Sequence, residues 1–217
     1  MKKMLFSIVL IASVFAQASL LTFADGTKQL EGVVLHPSAK INDEKGQPTA
    51  LSMDLLGAGL RSKTVLFVAA KVYVAQMFSD SKATFARTTN DALSTLVKNS
   101  KFVAMKMTMK RNVSASTLAV SFREAIEAND YTIDTELEQM LKLVETSADG
   151  AQGKSLTMLM VRNATGGTNV YYEDVNGTQK SLAGSAEMMT KVMSIWLGKS
   201  ADPGLEELKA SLLKPVY

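Results

Sequence analysis

The sequence predicts an α+β domain, an antiparallel sheet with helices packed on one face. Three observations carry this reading. Strand-like segments follow one another in groups joined by short turns rich in Gly and Asn. Besides one short helix at Asp91 to Val97, segments with helical period fall in two blocks, one between the strand groups and one at the C-terminal end. The composition is that of a globular chain, with 47% hydrophobic and 21% charged residues, and it shows no repeat, low-complexity tract or Pro/Ser linker. With 217 residues and four scattered prolines, one domain is expected over residues 19–217.

The first 18 residues are set apart from that domain. Lys2 and Lys3 form a positive start, Met4 to Phe15 is mostly apolar, and Ala16-Gln17-Ala18 has the small-x-small form of a cleavage site. This pattern predicts a secretory signal peptide cut after Ala18, and hence a periplasmic or secreted protein with no membrane span after cleavage. The apolar run is shorter than the about 20 residues a spanning helix needs. Loss of two lysines lowers the basic count from 24 to 22, against 21 acidic residues. The near-zero balance removes the electrostatic case for nucleic acid as a partner.

Leu30 to His36 reads as a strand ending at Pro37, and Ile41 to Thr49 as a loop or hairpin tip marked by Gly46 and Pro48. Leu51 to Leu56 reads as a strand interrupted by Gly57-Ala58-Gly59. Thr64 to Phe78 is a nearly continuous apolar run rich in β-branched and aromatic residues, which predicts a strand buried on both faces. Asp91 to Val97 reads as a short helix capped by Asn90. Phe102 to Lys110 alternates strictly. It predicts one buried face of Val103, Met105, Met107 and Met109, and one wet face of Ala104, Lys106, Thr108 and Lys110. The methionine row is read as core rather than as a metal or cofactor site.

Ser114 is placed to cap a helix running to about Ala128, with Leu118, Phe122 and Ile126 inward. Thr135 to Thr146 predicts a second helix. Ser155 to Val161, Asn169 to Asp174 and Gln179 to Leu182 read as strands joined by turns at Thr165-Gly166-Gly167 and Asn176-Gly177. Ala186 to Leu197 reads as an amphipathic helix stopped by Gly198, and Leu205 to Leu213 as a last helix behind Pro203 and Gly204.

The chain has no cysteine and one histidine. That excludes a disulfide framework, a thiolate nucleophile, Cys-based metal or cluster sites, and any metal site built on several histidines of one chain. No metal and no cofactor are expected. A Ser-His-Asp arrangement could use only His36, which reads as a surface or capping residue at a strand end. Gly57-Ala58-Gly59 fails as a dinucleotide loop, because Ser62 stands where the third glycine is needed and a strand follows where a helix is needed.

Arg61 is the sharper candidate. It leads into the most apolar strand, where an Arg is costly unless an acid or an anionic ligand meets it. Lys71 interrupts that strand and reads either as a snorkelling surface residue or as a desolvated amine. Tyr73 lies two residues on, and reads either as core or as a hydroxyl donor to a ligand.

Leu55-Leu56-Gly57-Ala58-Gly59-Leu60-Arg61, continuing into Phe67-Val68-Ala69-Ala70-Lys71-Val72-Tyr73-Val74-Ala75, resembles the chalcone isomerase family, in particular its secreted bacterial branch. Further similarity runs through Phe122 to Asn129, Asn176-Gly177, Ile195-Trp196-Leu197-Gly198 and the Leu-rich C-terminal segment. The resemblance implies an open-faced β-sandwich, with a large antiparallel sheet covered by a layer of helices and a ligand cleft between them. In the plant enzymes a phenolate adds to an enone and closes a ring without cofactor. There an Arg steers the anionic substrate, and hydroxyls of Thr and Tyr with an Asn surround it.

The Arg of that motif matches Arg61. The strand Thr of the enzymes falls at Val68. The Thr before their Met-Ile-Gly falls at Ile195, aligned by Gly198. Their Tyr- and Asn-bearing helix corresponds to Ser114 through Asn129, which holds no Tyr and only Asn129. Loss of hydroxyls that stabilise developing charge argues against cyclisation. The resemblance then implies a noncatalytic binder of a fatty acid or similar amphipathic carboxylate or phenolic ligand. Arg61 and Tyr73 would meet the anion, and Val68, Ile195 and Trp196 would line the apolar part. The alternative is a cofactor-independent isomerase, an intramolecular lyase of the chalcone isomerase type, with Arg61 as its catalytic residue.

Overall fold

The computed structural model describes residues 19–65 and 68–217. The expected signal peptide lies outside the described residues. Eight strands form one antiparallel sheet: β1 (Leu21–Phe23), β4 (Ser38–Asn42), β5 (Pro48–Val65), β6 (Val68–Ser79), β7 (Phe102–Met109), β8 (Ser155–Arg162), β9 (Thr168–Glu173) and β10 (Gln179–Gly184), neighbours in that order. The sheet curls as a half-barrel. A separate hairpin, β2 (Lys28–Leu30) with β3 (Val33–Leu35), is inserted between β1 and β4. Five helices complete the chain: α1 (Ala92–Asn99), α2 (Ala115–Glu127), α3 (Thr135–Glu145), α4 (Met188–Leu197) and α5 (Pro203–Leu212).

The α+β class, the antiparallel pairing and the helix layer are as the sequence predicts; several elements differ. The expected strand Leu30 to His36 is two strands. Glu31 and Gly32 both take positive φ, 52° and 74°, and reverse the chain between them. The pair of left-handed residues matches the twist of a tight hairpin. The Gly57-Ala58-Gly59 interruption is not one either. The glycines sit within β5, beside a register shift between Leu55 and Gly57. Their role is close approach: a Cβ at Gly57 would fall on the Leu212 carbonyl, and one at Gly59 would stand 2.7 Å from Ser211 Cβ. Helix α5 therefore lies directly on β5. Gly57→Ala is expected to lower stability by about 1–3 kcal/mol, the usual cost of overpacking, readable as an earlier urea midpoint.

The apolar run Thr64 to Phe78 is shared by two strands, because β5 ends at Val65 and β6 begins at Val68. It is buried on both faces only from Tyr73 onward; Lys71 is exposed and pairs with Glu31 at 2.6 Å. Helix α1 starts at Ala92 behind Asp91 rather than Asn90. Helix α4 is not amphipathic, since nearly every residue from Met188 to Leu197 is buried.

Two cores sandwich the sheet. On the helix side, Leu56, Tyr73, Ala75, Met77, Met105, Met107 and Met109 meet Phe122, Ile126, Met193 and Trp196. The methionines are thus packing residues. On the other side, Leu21, Leu35, Met53, Leu55, Val74, Phe78 and Ala104 form a smaller core. This second core corrects the expectation of a wet face on β7. Ala104 and Thr108 are buried and Lys106 is half-buried, because the β2–β3 hairpin and β1 cover that face. Gln76, fully buried, fixes the cover: its Oε1 accepts from the His36 N–H at 2.8 Å and its Nε2 donates to the Val34 carbonyl at 3.1 Å.

His36 is part of this cover rather than a surface residue. Its ring lies 5.0 Å from that of Phe23, and Nδ1 stands 2.8 Å from the Ala24 carbonyl. A carbonyl only accepts, so Nδ1 carries the proton. Burial is the main cause holding the His36 pKa below its ordinary 6.5, with the nearby Lys106 charge adding to it. The folded state therefore favours the neutral ring. Its contribution is intact above pH 6.5 and is lost as pH falls through the lowered value. Urea midpoints are expected to drop from pH 7.5 to pH 5 and to drop less in His36→Gln.

Candidate functional site

Arg61 and Tyr73 stand directly opposite each other in the β5–β6 register, on the helix-facing side. Both are buried, at 5% and 4% exposure. Arg61 Nη2 pairs with Asp202 Oδ2 at 2.5 Å, and Nη1 donates to the Ser62 carbonyl. Asp202 is also the N-cap of α5, accepting from the Leu205 N–H at 3.0 Å. One carboxylate thus caps the helix and holds the guanidinium. Gly204, in the first turn of α5, makes room for this contact, because a Cβ there would strike Ser62 O and Arg61 Nη1. A guanidinium has five N–H donors, and the two bonds leave three.

The Tyr73 hydroxyl accepts from Trp196 Nε1 at 3.1 Å. Among the described residues, nothing accepts its own proton. Burial pushes its pKa up, partly offset by the Trp196 bond and the Arg61 charge. Tyr73 is therefore a neutral phenol held by Trp196, with its O–H still free to donate. Phe122 packs edge-on against Trp196, ring centroids 5.5 Å apart, and keeps the indole in place.

Arg61 and Tyr73 border a cavity of about 400 Å³ between the sheet and helix α2. Its buried lining is Leu118 and Phe122 from α2, Ile195 from α4 and Leu205 from α5. Val72 and Val113, half-buried, extend the apolar wall. Toward solvent lie Lys63, Arg111, Asn112, Ser114, Thr117 and Ser121. No carboxylate is among the lining residues. Lys63 leans on Glu124 at 3.7 Å, whereas Arg111 is exposed and has no ion pair among the described residues. The arrangement is an apolar hole with a buried cation and a phenol donor at one end and cations at the entrance. Among the described residues, no cluster of three or more His, Asp or Glu side chains is placed to hold a metal ion, and no helix is long and apolar enough to cross a membrane.

A chalcone isomerase-like family profile matches residues 27–214. The chain belongs to the chalcone isomerase-like family. Among solved structures, it is similar to a fatty-acid binding protein of Arabidopsis thaliana, with a TM-score of 0.54, 15% identity, and 74% of this chain and 86% of that one covered. At that identity the likeness is one of fold. A search of curated protein sequences finds no significant match.

Of the residues singled out from the sequence of this family member, Arg61, Tyr73 and Ile195 line the cavity. Trp196 stands behind it, touching the cavity through Tyr73 and Phe122. Val68 begins β6 opposite Val65, and its side chain lies outside the described residues. Asn129 is far from ligand chemistry. It bonds the Ala125, Ser194 and Lys199 backbone and ties α2 to the end of α4.

Sequence reasoning missed Asp202, though an Asp followed by Pro at a helix start is a readable cap signal. It also missed Arg111, Thr117 and Ser121, and it read Ser114 as the cap of α2 but not as a cavity residue; their gathering depends on how α2 crosses the sheet. Tyr73→Phe is expected to leave Trp196 Nε1 buried without an acceptor and to cost about 1–3 kcal/mol of stability. Thermal unfolding of the variant beside wild type checks this.

Proposed function

We propose that this protein is a noncatalytic, periplasmic or secreted binder of a fatty acid or a similar amphipathic carboxylate. The observation that carries the reading is the pairing of a buried Arg61 with the buried phenol of Tyr73, which keeps a proton to donate, on the wall of a largely apolar cavity. The remaining guanidinium donors and the phenol O–H would share the ligand carboxylate, as charge-assisted hydrogen bonds. Leu118, Phe122, Ile195 and Leu205 would cover the acyl chain. A volume of about 400 Å³ lies in the ordinary range for small-ligand sites. Arg111 at the entrance, with no ion pair among the described residues, would draw an anion inward. The name of the Arabidopsis neighbour is in keeping with this reading, and the N-terminal pattern supports export.

Purified protein, extracted and read by mass spectrometry, is expected to release acyl carboxylates, and Arg61→Met protein markedly less. If neither protein carries or takes up an acyl ligand, the reading fails. A second reading, cofactor-independent isomerisation, draws on the Ser121 hydroxyl, which lines the cavity and has no partner among the described residues. It requires turnover of a chalcone-like enone above the spontaneous rate, lost in Arg61→Met.

A further inference from the structure

The opposite face of the sheet carries a second cavity, of about 360 Å³, between the β2–β3 hairpin, β7 and the start of β8. The two-residue period of a strand sets Lys106, Thr108 and Lys110 side by side here. Lys106 Nζ lies 3.0 Å from His36 Nε2 and 4.1 Å from the centre of the Phe23 ring. It makes no ion pair among the described residues. Lys110 Nζ donates to the Glu31 carbonyl at 2.6 Å, while the Glu31 carboxylate is taken by Lys71 at 2.6 Å. Thr108 Oγ1 and Ser155 Oγ share a hydrogen bond of 2.9 Å at the cavity wall. Among the described residues, no acid lines this cavity.

This leaves two ammonium groups in a partly enclosed, polar space; the nearby Glu31 carboxylate is shared between Lys71, at 2.6 Å, and the charge of Lys110, and no carboxylate is paired with Lys106 among the described residues. Burial brings the Lys106 pKa down from 10.5 to about 8, so the group is still mostly protonated at neutral pH. His36 offers it only a lone pair. With Nδ1 committed to the Ala24 carbonyl, Nε2 accepts one ammonium proton and leaves two. Asp25 influences the His36 ring and Glu31 is engaged by Lys71, so neither neutralises Lys106.

We infer that this cavity binds a small phosphate-bearing anion between Lys106 and Lys110, with the Thr108–Ser155 pair donating one hydroxyl. Two ammonium groups match the charge of about −1.5 to −2 that a phosphate monoester carries at pH 7. Lys71, Lys106 and Lys110 are three cations against the single carboxylate of Glu31, so a monocarboxylate would still leave one positive charge uncompensated. The site lies across the sheet from the Arg61 cavity and does not depend on what that cavity holds.

The test uses inorganic phosphate and the full protein. Acylation of Lys106 by a water-soluble amine reagent is followed by peptide mass spectrometry across pH, with chloride at matched ionic strength as control. Phosphate is expected to slow the labelling saturably and to move its midpoint to higher pH. Lys110→Met is expected to weaken the protection roughly tenfold or more, as loss of one charge-assisted bond does. Arg61→Met is expected to leave it unchanged. Labelling that responds to phosphate no more than to chloride, or protection unaffected by Lys110→Met, overturns the inference. Because wild-type Lys106 is itself the reporter, the outcome does not depend on a Lys106 variant folding.

Discussion

Arg61→Met is expected to weaken binding of an acyl carboxylate by roughly 30–150-fold, equivalent to the about 2–3 kcal/mol of a charge-assisted hydrogen bond. Methionine keeps the length and apolar stem of the side chain and removes the donors. The variant has a structural consequence as well. Asp202 loses its partner, yet its side chain is 27% exposed and it retains the α5 cap. Solvent access limits that penalty relative to a fully buried pair. Pairing Arg61→Met with Asp202→Asn separates the two effects. Asparagine caps a helix about as well as aspartate, so stability is expected to recover while binding stays lost. If the double variant regains affinity along with stability, Arg61 acts only by holding α5, and the carboxylate is met elsewhere.

Leu118→Trp is expected to abolish acyl binding while leaving the melting temperature unchanged or raised. Leu118 is 3% exposed and projects from α2 into the cavity. An indole there fills space that is otherwise open to ligand and adds buried apolar area, at about 25 cal/mol per Å². Overpacking of a filled core would instead lower stability by about 1–3 kcal/mol. The sign of the stability change therefore reports whether the cavity is real free volume. Loss of binding without loss of stability, checked by calorimetric titration beside thermal unfolding, places the acyl chain against α2.

Much of this site was legible because its key residues break a local pattern. An Arg just ahead of a long apolar run is anomalous in any α+β domain, and the structure, placing Arg61 near the end of β5, sets it against Tyr73 and the cavity. What stayed hidden was set by distant segments. Nothing around Gly57-Ala58-Gly59 tells that α5 presses on β5, so the glycines read as a break and not as a landing surface. The alternation of Lys106 on β7 with Lys110 just past its end reads as a solvent face. Only the β2–β3 hairpin, itself concealed inside what looked like one strand, turns that face into a second core and a second cavity. Arg111 and the α2 hydroxyls carry no signal of their own, since helix period gives their face and not which cavity that face meets.

The most direct test of the central claim is calorimetric titration of delipidated protein with saturated fatty acids of increasing chain length. One site per chain is expected, with affinity rising about fourfold per added methylene, from about 0.8 kcal/mol each, until the cavity is full. Affinity should hold from pH 6 to 9, because Tyr73 keeps its proton throughout. Absence of saturable binding at every chain length contradicts the account.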